Sequence, residues 1–417
     1  MTHASDVVAS YTIETLVGSK RYPVLPLLEV AELNPRKLSC PPADDEMVSF
    51  VPMKAVEEES GRINTSEQRP WLAVRKGYTP FQNGDVIFAK ITPCMENGKY
   101  AVATGLIGGR AAGSTEFHVL RPTENLDSKY LLYFLFRSDI RRNARQSMRG
   151  AAGQLRVPTV FFEGLSIPVP PLDKQRRIVA EIEEQLSRLE AGVAALKRVQ
   201  ANLKRYTSSV IASTFPCVGE TLPAGWAWAY LSDLGELSRG KSKHRPRDDP
   251  KLYGGTYPFI QTGDVKASRG RIREFTQTYS EMGLAQSRLW PAGTLCITIA
   301  ANIADTGILE FDSCFPDSVV GFRADSGLAL TQYIERYLRS MKEHLDRLAP
   351  ATAQKNINLE VLSKVQVPVP PPSIAQSMVE EVDRRLSVVD ELETQVRVDL
   401  TRAERLRQAC LSQAFQG

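Results

Sequence analysis

Residues 167–190 read IPVPPLDKQRRIVAEIEEQLSRLE, and residues 367–390 read VPVPPPSIAQSMVEEVDRRLSVVD. Set one above the other, Pro168 falls on Pro368, Pro170 on Pro370, Pro171 on Pro371, Val179 on Val379 and Glu181 on Glu381. Leu186 and Ser187 fall on Leu386 and Ser387, and the same offset of 200 residues carries Gln154 onto Gln354 and Phe215 onto Phe415 without a gap. Two copies at so long a period do not make a solenoid. The chain is a duplicated half-molecule, pseudo-twofold in plan, in which each variable globular part is followed by a similar tail.

Each tail opens on PVPP, whose fixed φ angles demand an extended lead-in and forbid helix interior. Beyond it, apolar residues of the first tail recur at Val179, Ile182, Leu186, Leu189, Val193, Leu196, Leu203 and Val210, in steps of three and four interrupted at Gln200 and Thr207. The second tail repeats the stripe with Val379, Val382, Leu386, Val389, Val396, Leu400 and Ala403. That spacing is the seam of a coiled coil, and it predicts spacer helices within 171–217 and 371–417. About 40 helical residues span ~60 Å. A helix with one exposed seam needs a partner. Homodimerisation would supply one, but two matching seams in one chain favour intramolecular antiparallel pairing.

At 417 residues the chain exceeds the size of a single hydrophobic core, so two or more domains are expected. The 42% hydrophobic and 24% charged residues are those of an ordinary folded protein, and the formal charge of +4 permits a nucleic-acid partner without demanding one. Six dispersed cysteines and four histidines show no metal-ligand spacing and no disulfide framework, so no metal and no cofactor is expected in the chain. The first residues, MTHASDVVASYTIETL, lack a basic segment followed by an apolar core, and no apolar run approaches the length that spans a bilayer. A cytoplasmic protein without membrane association is expected.

The globular parts, residues 1–170 and 218–370, share a layout. In the first, the turn signal at Phe81 to Asp85 precedes the strand-like Val86 to Ile91 and then TPCMENGK. In the second, Trp290 to Gly293 precedes Thr294 to Ile299 and a loop through Gly307. Helical stretches LDSKYLLYFLFRSDIRRNARQ and LTQYIERYLRSMKEHLDRL follow, so each half reads as an α+β domain. The second half opens with Leu222-Pro-Ala-Gly-Trp226-Ala-Trp228, then a polar loop, then Tyr257-Pro-Phe-Ile-Gln261-Thr262-Gly-Asp-Val265. This order resembles a target-recognition domain of type I restriction-modification specificity subunits. GDVIFAKITPCMENGK resembles the matching strand-loop, and IPVPPLDKQRRIVAEIEEQL is similar to the central helix of that family. The first half lacks the LPxGWxW opener and carries YPVLPLLEVAELNPRK in roughly that place.

Five cations, Arg239, Lys241, Lys243, Arg245 and Arg247, stand around His244 in a segment punctuated by Gly240 and Pro246. They form a candidate phosphate-contacting patch, or else a solvated loop neutralised by Asp248 and Asp249. Gln261 and Thr262 join them as DNA-facing candidates of the second domain. In the first domain Lys90, Thr92, Asn97, Lys99 and Arg110 carry suitable donors and acceptors, with a turn at Asn97-Gly98 as the structural alternative. Arg141, Arg142, Arg145 and Arg149 follow the short helix of the first half or equally form a solvated helix face, and Trp226 and Trp228 alternate as half-buried strand residues do, as core anchors rather than stacking platforms. Gly235 to Ser242 formally matches a phosphate-binding loop, yet Pro246 and Pro250 break the helix such a loop requires, so no nucleotide binding is expected. No catalytic constellation is found.

What the resemblance implies is a non-catalytic reader of double-stranded DNA. Each domain would contact half of a bipartite, asymmetric target, and the paired helices would set the gap. Two methyltransferase subunits would bring S-adenosylmethionine, and restriction motor-nuclease subunits would bring ATP and Mg. The competing reading is a stand-alone coiled-coil scaffold without sequence-selective DNA binding.

Overall fold

A computed structural model describes residues 22–151, 153–244, 246–300, 303–348 and 356–415. Arg245 and Gln354 lie outside them. The fold is α+β and divides into two compact units: Met1–Leu196 with Val398–Gly417, and Lys197–Arg397.

The first unit is built on two four-stranded sheets. One runs Ala31–Leu33, Phe117–Pro122, Val86–Ala89, Tyr100–Val102, with every neighbour antiparallel. The other runs Gln68–Pro70, Met47–Val51, Arg110–Gly113, Thr79–Gln82, and its central pair is parallel. The strand Val86–Ala89 shows why the pleat decides the layers. Val86 and Phe88 face a core shared with the helix Ser128–Leu135, while Ile87 and Ala89 face a second core closed by Val51, Phe81 and Ala111. Gly84, at φ 90°, makes the turn before this strand, and buried Asp85 receives the Arg121 guanidinium on both carboxylate oxygens at 2.7 and 2.8 Å.

The second unit repeats the plan. Its main sheet runs Gly235–Arg239, Val319–Ala324, Leu295–Thr298, Thr306–Leu309, Gly270–Ile272. Leu33 pairs with Leu120 as Leu237 pairs with Phe322, and Val86 pairs with Leu120 as Leu295 pairs with Phe322. The chain enters both units in the same way. Val24–Pro26 pairs antiparallel with Ser166–Pro168, and Ala227–Tyr230 with Gln366–Val369. Next, the Leu27 amide donates to the Leu165 carbonyl and the Leu231 amide to the Val365 carbonyl, both at 2.8 Å. YPVLPLLEV thus does structurally what the LPxGWxW opener does. Trp226 is half-buried against the second core.

Two long helices follow the paired strands, Leu172–Ala212 and Pro372–Gln413. In the first unit Val179, Ile182 and Leu186 enter the core beside Tyr130 and Phe134, and Leu411 and Phe415 of the other helix join the same cluster. The Cys410 thiol donates to Gln185 Oε1 at 2.9 Å and Arg407 reaches Glu190 at 3.9 Å, a rising number against a falling one, so the segments are antiparallel. In the second unit Ile211 and Phe215 share a core cluster with Ala375 and Val379. Along the seam Val382, Val389 and Val396 are buried, and Leu189, Val193, Leu196, Leu203 and Leu386 are half-buried. The ends of each seam therefore insert into a globular core as well as facing a helix. Arg141, Arg142 and Arg145 lie on a second helix, Ser138–Ser147, that follows Ser128–Leu135.

A buried charge network anchors the second helix to its domain. Glu335, with no exposed surface, accepts from Thr306 at 2.9 Å and pairs with Arg336, which also grips Asp383 at 2.6 Å. Burial pushes the Glu335 carboxyl up, and the guanidinium groups of Arg336 and Arg339 pull it back. Arg336→Met would leave that buried carboxylate with only the Thr306 hydroxyl and, at 3.8 Å, Arg339. It is expected to lower the stability of the second unit by about 3–5 kcal/mol in chemical denaturation.

His118 makes the first unit sensitive to acid. It is 4% exposed, its Nε2 donates to the Val157 carbonyl at 2.8 Å, and its Nδ1 accepts from Asn34 Nδ2 at 3.1 Å. Burial holds the imidazole below its ordinary 6.5. The unfolded chain takes up this proton first, so stability is complete above about pH 6.5 and is lost as pH falls below it. The melting temperature is expected to drop as pH falls below about 6.5, and His118→Gln is expected to flatten that part of the profile.

Candidate nucleic-acid interface

The strand Gly235–Arg239 ends at the sheet edge, so Arg239 is a strand residue and not part of the loop that the sequence suggests. The Gly240 amide donates to the Val319 carbonyl at 2.9 Å, and a Cβ at Gly240 would lie 2.3 and 2.4 Å from the Phe315 and Pro316 carbonyls. Only glycine fits so close an approach of two backbones. Gly235 to Ser242 is accordingly a hydrogen-bonded strand and its exit. No helix starts there whose amides could cradle a phosphate.

From Gly240 the chain forms a loop held by side chains around it. Ser287 Oγ donates to the Lys241 carbonyl at 2.9 Å, the His244 amide donates to Gln286 Oε1 at 3.0 Å, and the Tyr253 hydroxyl donates to the Arg247 carbonyl. His244 Nε2 lies 3.1 Å from Asp249, whose carboxyl is held low first by the Lys251 amide and then by that imidazole. Arg247 is engaged by Asp317 at 2.8 Å. Lys241 and Lys243 are left exposed to solvent on a loop of fixed shape. Gln261 Nε2 donates to Gln277 Oε1 at 2.6 Å, and Thr262 begins the short helix Thr262–Ala267. Arg288 was not singled out by sequence; its guanidinium sits 3.8 Å from the Trp290 ring centroid and pairs with Glu236 at 2.7 Å.

The first unit distributes its candidates differently. Thr92 Oγ1 accepts from the Leu155 amide at 3.2 Å. Asn97 Nδ2 donates to Glu58 at 2.8 Å, and Lys99 Nζ lies 4.0 Å from the same carboxylate. Glu59 and Glu96, beside this loop, are taken by Arg141 and Arg145. Lys90 is half-buried at the end of its strand. Arg110 belongs to a separate set of contacts, donating to the Gly108 carbonyl at 2.9 Å, the Cys40 carbonyl at 3.2 Å and Glu46 at 2.5 Å. The structure thus sets Asn97 and Lys99 beside the Glu58 carboxylate, ties Thr92 to the Leu155 backbone, and sets Arg110 apart as a residue that fastens backbone.

The repeated domains carry a family signature. Residues 23–204 and 223–402 both match the family described as type I restriction modification DNA specificity domain. The chain belongs to that family. Each of its specificity-domain repeats comprises one α+β domain and most of the long helix that follows.

Among relatives, the type I restriction enzyme EcoAI specificity subunit of Escherichia coli is 41% identical over 163 residues, covering 39% of this chain. The EcoEI specificity subunit of the same species is 42% identical over 155 residues, covering 37%. The chain spans only 27% and 26% of the length of these two relatives. The EcoKI specificity subunit of E. coli K12 matches more widely, at 23% identity over 72% of this chain and 67% of its own. Two solved structures share the fold. The HsdS subunit from Thermoanaerobacter tengcongensis superposes with a TM-score of 0.60 at 23% identity, over 97% of this chain and 100% of that one. A chain from a structure of type I R-M complex assembly and conformational transition reaches 0.78 at 23% identity, over 95% and 98%.

Among the described residues no group of three or more His, Cys, Asp or Glu is placed to hold a metal, and no helix is long and apolar enough to cross a membrane. The loop of the second repeat depends on Gly240. Gly240→Ala forces the strand exit away from the Phe315 and Pro316 carbonyls. It is expected to lower stability by about 1–3 kcal/mol and to weaken duplex-DNA binding, measured by denaturation and by fluorescence anisotropy.

Proposed function

We propose that this chain is the DNA sequence-specificity subunit of a type I restriction-modification complex and is itself non-catalytic. The observation that carries this reading is the pair of whole specificity-domain repeats at 23–204 and 223–402, whose domains differ in sequence. Two unlike readers in one chain suit an asymmetric bipartite target. Phosphate contacts position such a reader, and a few side chains at base edges specify the sequence. In the second repeat Lys241 and Lys243 are the cations best presented for phosphate, with Arg239, His244 and Arg247 close by in the chain. Gln261 and Thr262 have groups suited to base edges. In the first repeat Lys90, Thr92, Asn97, Lys99 and Arg110 are the set suggested by sequence.

The chemistry then resides in partners. Two methyltransferase subunits supply S-adenosylmethionine and dock on the helical segments, and restriction subunits supply the ATP- and Mg-dependent motor and nuclease. The assembly works in the cytoplasm, where the DNA is. The long helices, of 41 and 42 residues, act as the ruler for the unread gap.

Co-expression with its methyltransferase in a methylation-free host, followed by single-molecule sequencing, is expected to reveal a new methylated motif of two short half-sites at one fixed spacing. One helical turn inserted between Ala194 and Ala201, with a matching turn at 394–401, is expected to change the spacing and keep the half-sites. Altered half-sites at constant spacing would refute the ruler. A stable complex that methylates nothing would favour the scaffold reading.

A further inference from the structure

Resting on the DNA-reading function proposed above, we infer that the 34–46 loop is the phosphate-contacting loop of the first repeat, acting through Arg36 and Lys37. The candidates drawn from sequence do not occupy equivalent places in the two repeats. The basic loop of the second repeat leaves the strand Gly235–Arg239, whereas Lys90 to Lys99 follow the strand Val86–Ala89, whose counterpart is Leu295–Thr298. The register settles which segments correspond. Leu33 opposite Leu120 matches Leu237 opposite Phe322, so the chain leaving Leu33 is the counterpart of the chain leaving Leu237.

Both loops end alike. The 34–46 loop runs into the strand Met47–Val51, and the Glu46 carbonyl accepts from the Trp71 amide at 2.9 Å; in the second repeat the Leu252 carbonyl accepts from the Ser280 amide at 2.8 Å, just before the strand Tyr253–Phe259. Phe50 lies beside Ala112 in parallel register as Phe259 lies beside Cys314.

The two loops also share their internal construction. Four residues beyond the matched leucines stand Lys37 and Lys241, and in each case a neighbouring side chain holds the lysine's own carbonyl: Arg121 at 2.9 Å for Lys37, and Ser287 Oγ at 2.9 Å for Lys241. Most acids of the two loops are engaged locally, and one in each, Asp45 and Asp248, is exposed. Asp44 pairs with Arg75 at 2.7 Å and Glu46 with Arg110, as Asp249 faces His244. Ser39 is fixed by Gln82, donating through its amide at 2.8 Å and accepting at its hydroxyl at 2.9 Å. Arg36 and Lys37 are exposed, as Lys241 and Lys243 are. Arg110 and Arg121 are positioning residues here, shaping a loop whose exposed cations face solvent. The carboxylate-lined Asn97 and Lys99 offer a phosphate far less, because Glu58 would repel it.

The test is equilibrium binding of the full chain to a random-sequence DNA duplex across a salt series. It compares wild type, Arg36→Gln/Lys37→Gln, Lys241→Gln/Lys243→Gln and Asn97→Ala/Lys99→Gln. Removing one phosphate-bound cation lowers the slope of log affinity on log salt by about 0.9, so the first double variant is expected to reduce the slope by about 2 and to bind roughly tenfold more weakly. Circular dichroism and melting should match wild type, because both side chains are exposed. Weakening confined to Lys241→Gln/Lys243→Gln, or shared only with Asn97→Ala/Lys99→Gln, would overturn the assignment while leaving the DNA-reading function intact. Absence of duplex binding by the wild-type chain at low salt would overturn that function and the assignment with it.

Discussion

One tyrosine in each unit holds together parts of the chain that are far apart in sequence. The Tyr130 hydroxyl donates to the Pro168 carbonyl at 3.0 Å, in the strand that leads into one long helix, and its ring meets Phe415, at the end of the other, with centroids 4.8 Å apart. Tyr333 does the same with Pro368 and, at 5.3 Å, with Phe215. A buried ring contact of this kind adds about 0.5–1.5 kcal/mol beyond the area it covers, and the hydroxyl satisfies the carbonyl of a proline in the strand that leads into the helix. The paired strands, the helix starts and the helix ends all meet there. Every other feature of the unit, including where its loops emerge, is fixed relative to that junction.

The duplication and the long helices were legible because they depend on local rules: proline geometry, the seam period and an offset that never slips. The strand Val86–Ala89 was legible for the same reason, with a turn glycine before it and alternating burial along it. What stayed hidden depends on hydrogen bonds between distant backbones. The equivalence of YPVLPLLEV and the tryptophan-bearing opener lies in the amides of Leu27 and Leu231, which carry no side-chain signal. Arg110 looked like a free cation because sequence cannot show that two carbonyls and Glu46 already claim its guanidinium. Arg239 looked like a loop residue because Gly240 suggests a turn, whereas the glycine is there to let two backbones pass.

The two units meet the same mechanical need with different electrostatics. Glu183 of the first long helix accepts from Lys129 at 2.7 Å near solvent, a pair worth little. The matching Asp383 of the second is bound by Arg336, itself tied to the fully buried Glu335. A buried ionic cluster adds little net stability yet penalises any arrangement that separates its members. The second repeat therefore holds its helix by geometry that tolerates few alternatives, and the first holds its helix chiefly by apolar packing around Leu411 and Phe415.

Each long helix is shared between units, and this sets an order of assembly during synthesis. Everything in the second unit lies between Lys197 and Arg397, whereas the first unit needs Val398–Gly417 as well. The domain made first is thus completed last. Until residue 415 leaves the ribosome, the groove lined by Tyr130 and Phe134 lacks its aromatic plug and exposes apolar surface to the cell. At about 5–20 residues per second, that interval is on the order of ten seconds or more, long enough for a chaperone to occupy the groove before the chain's own phenylalanine arrives.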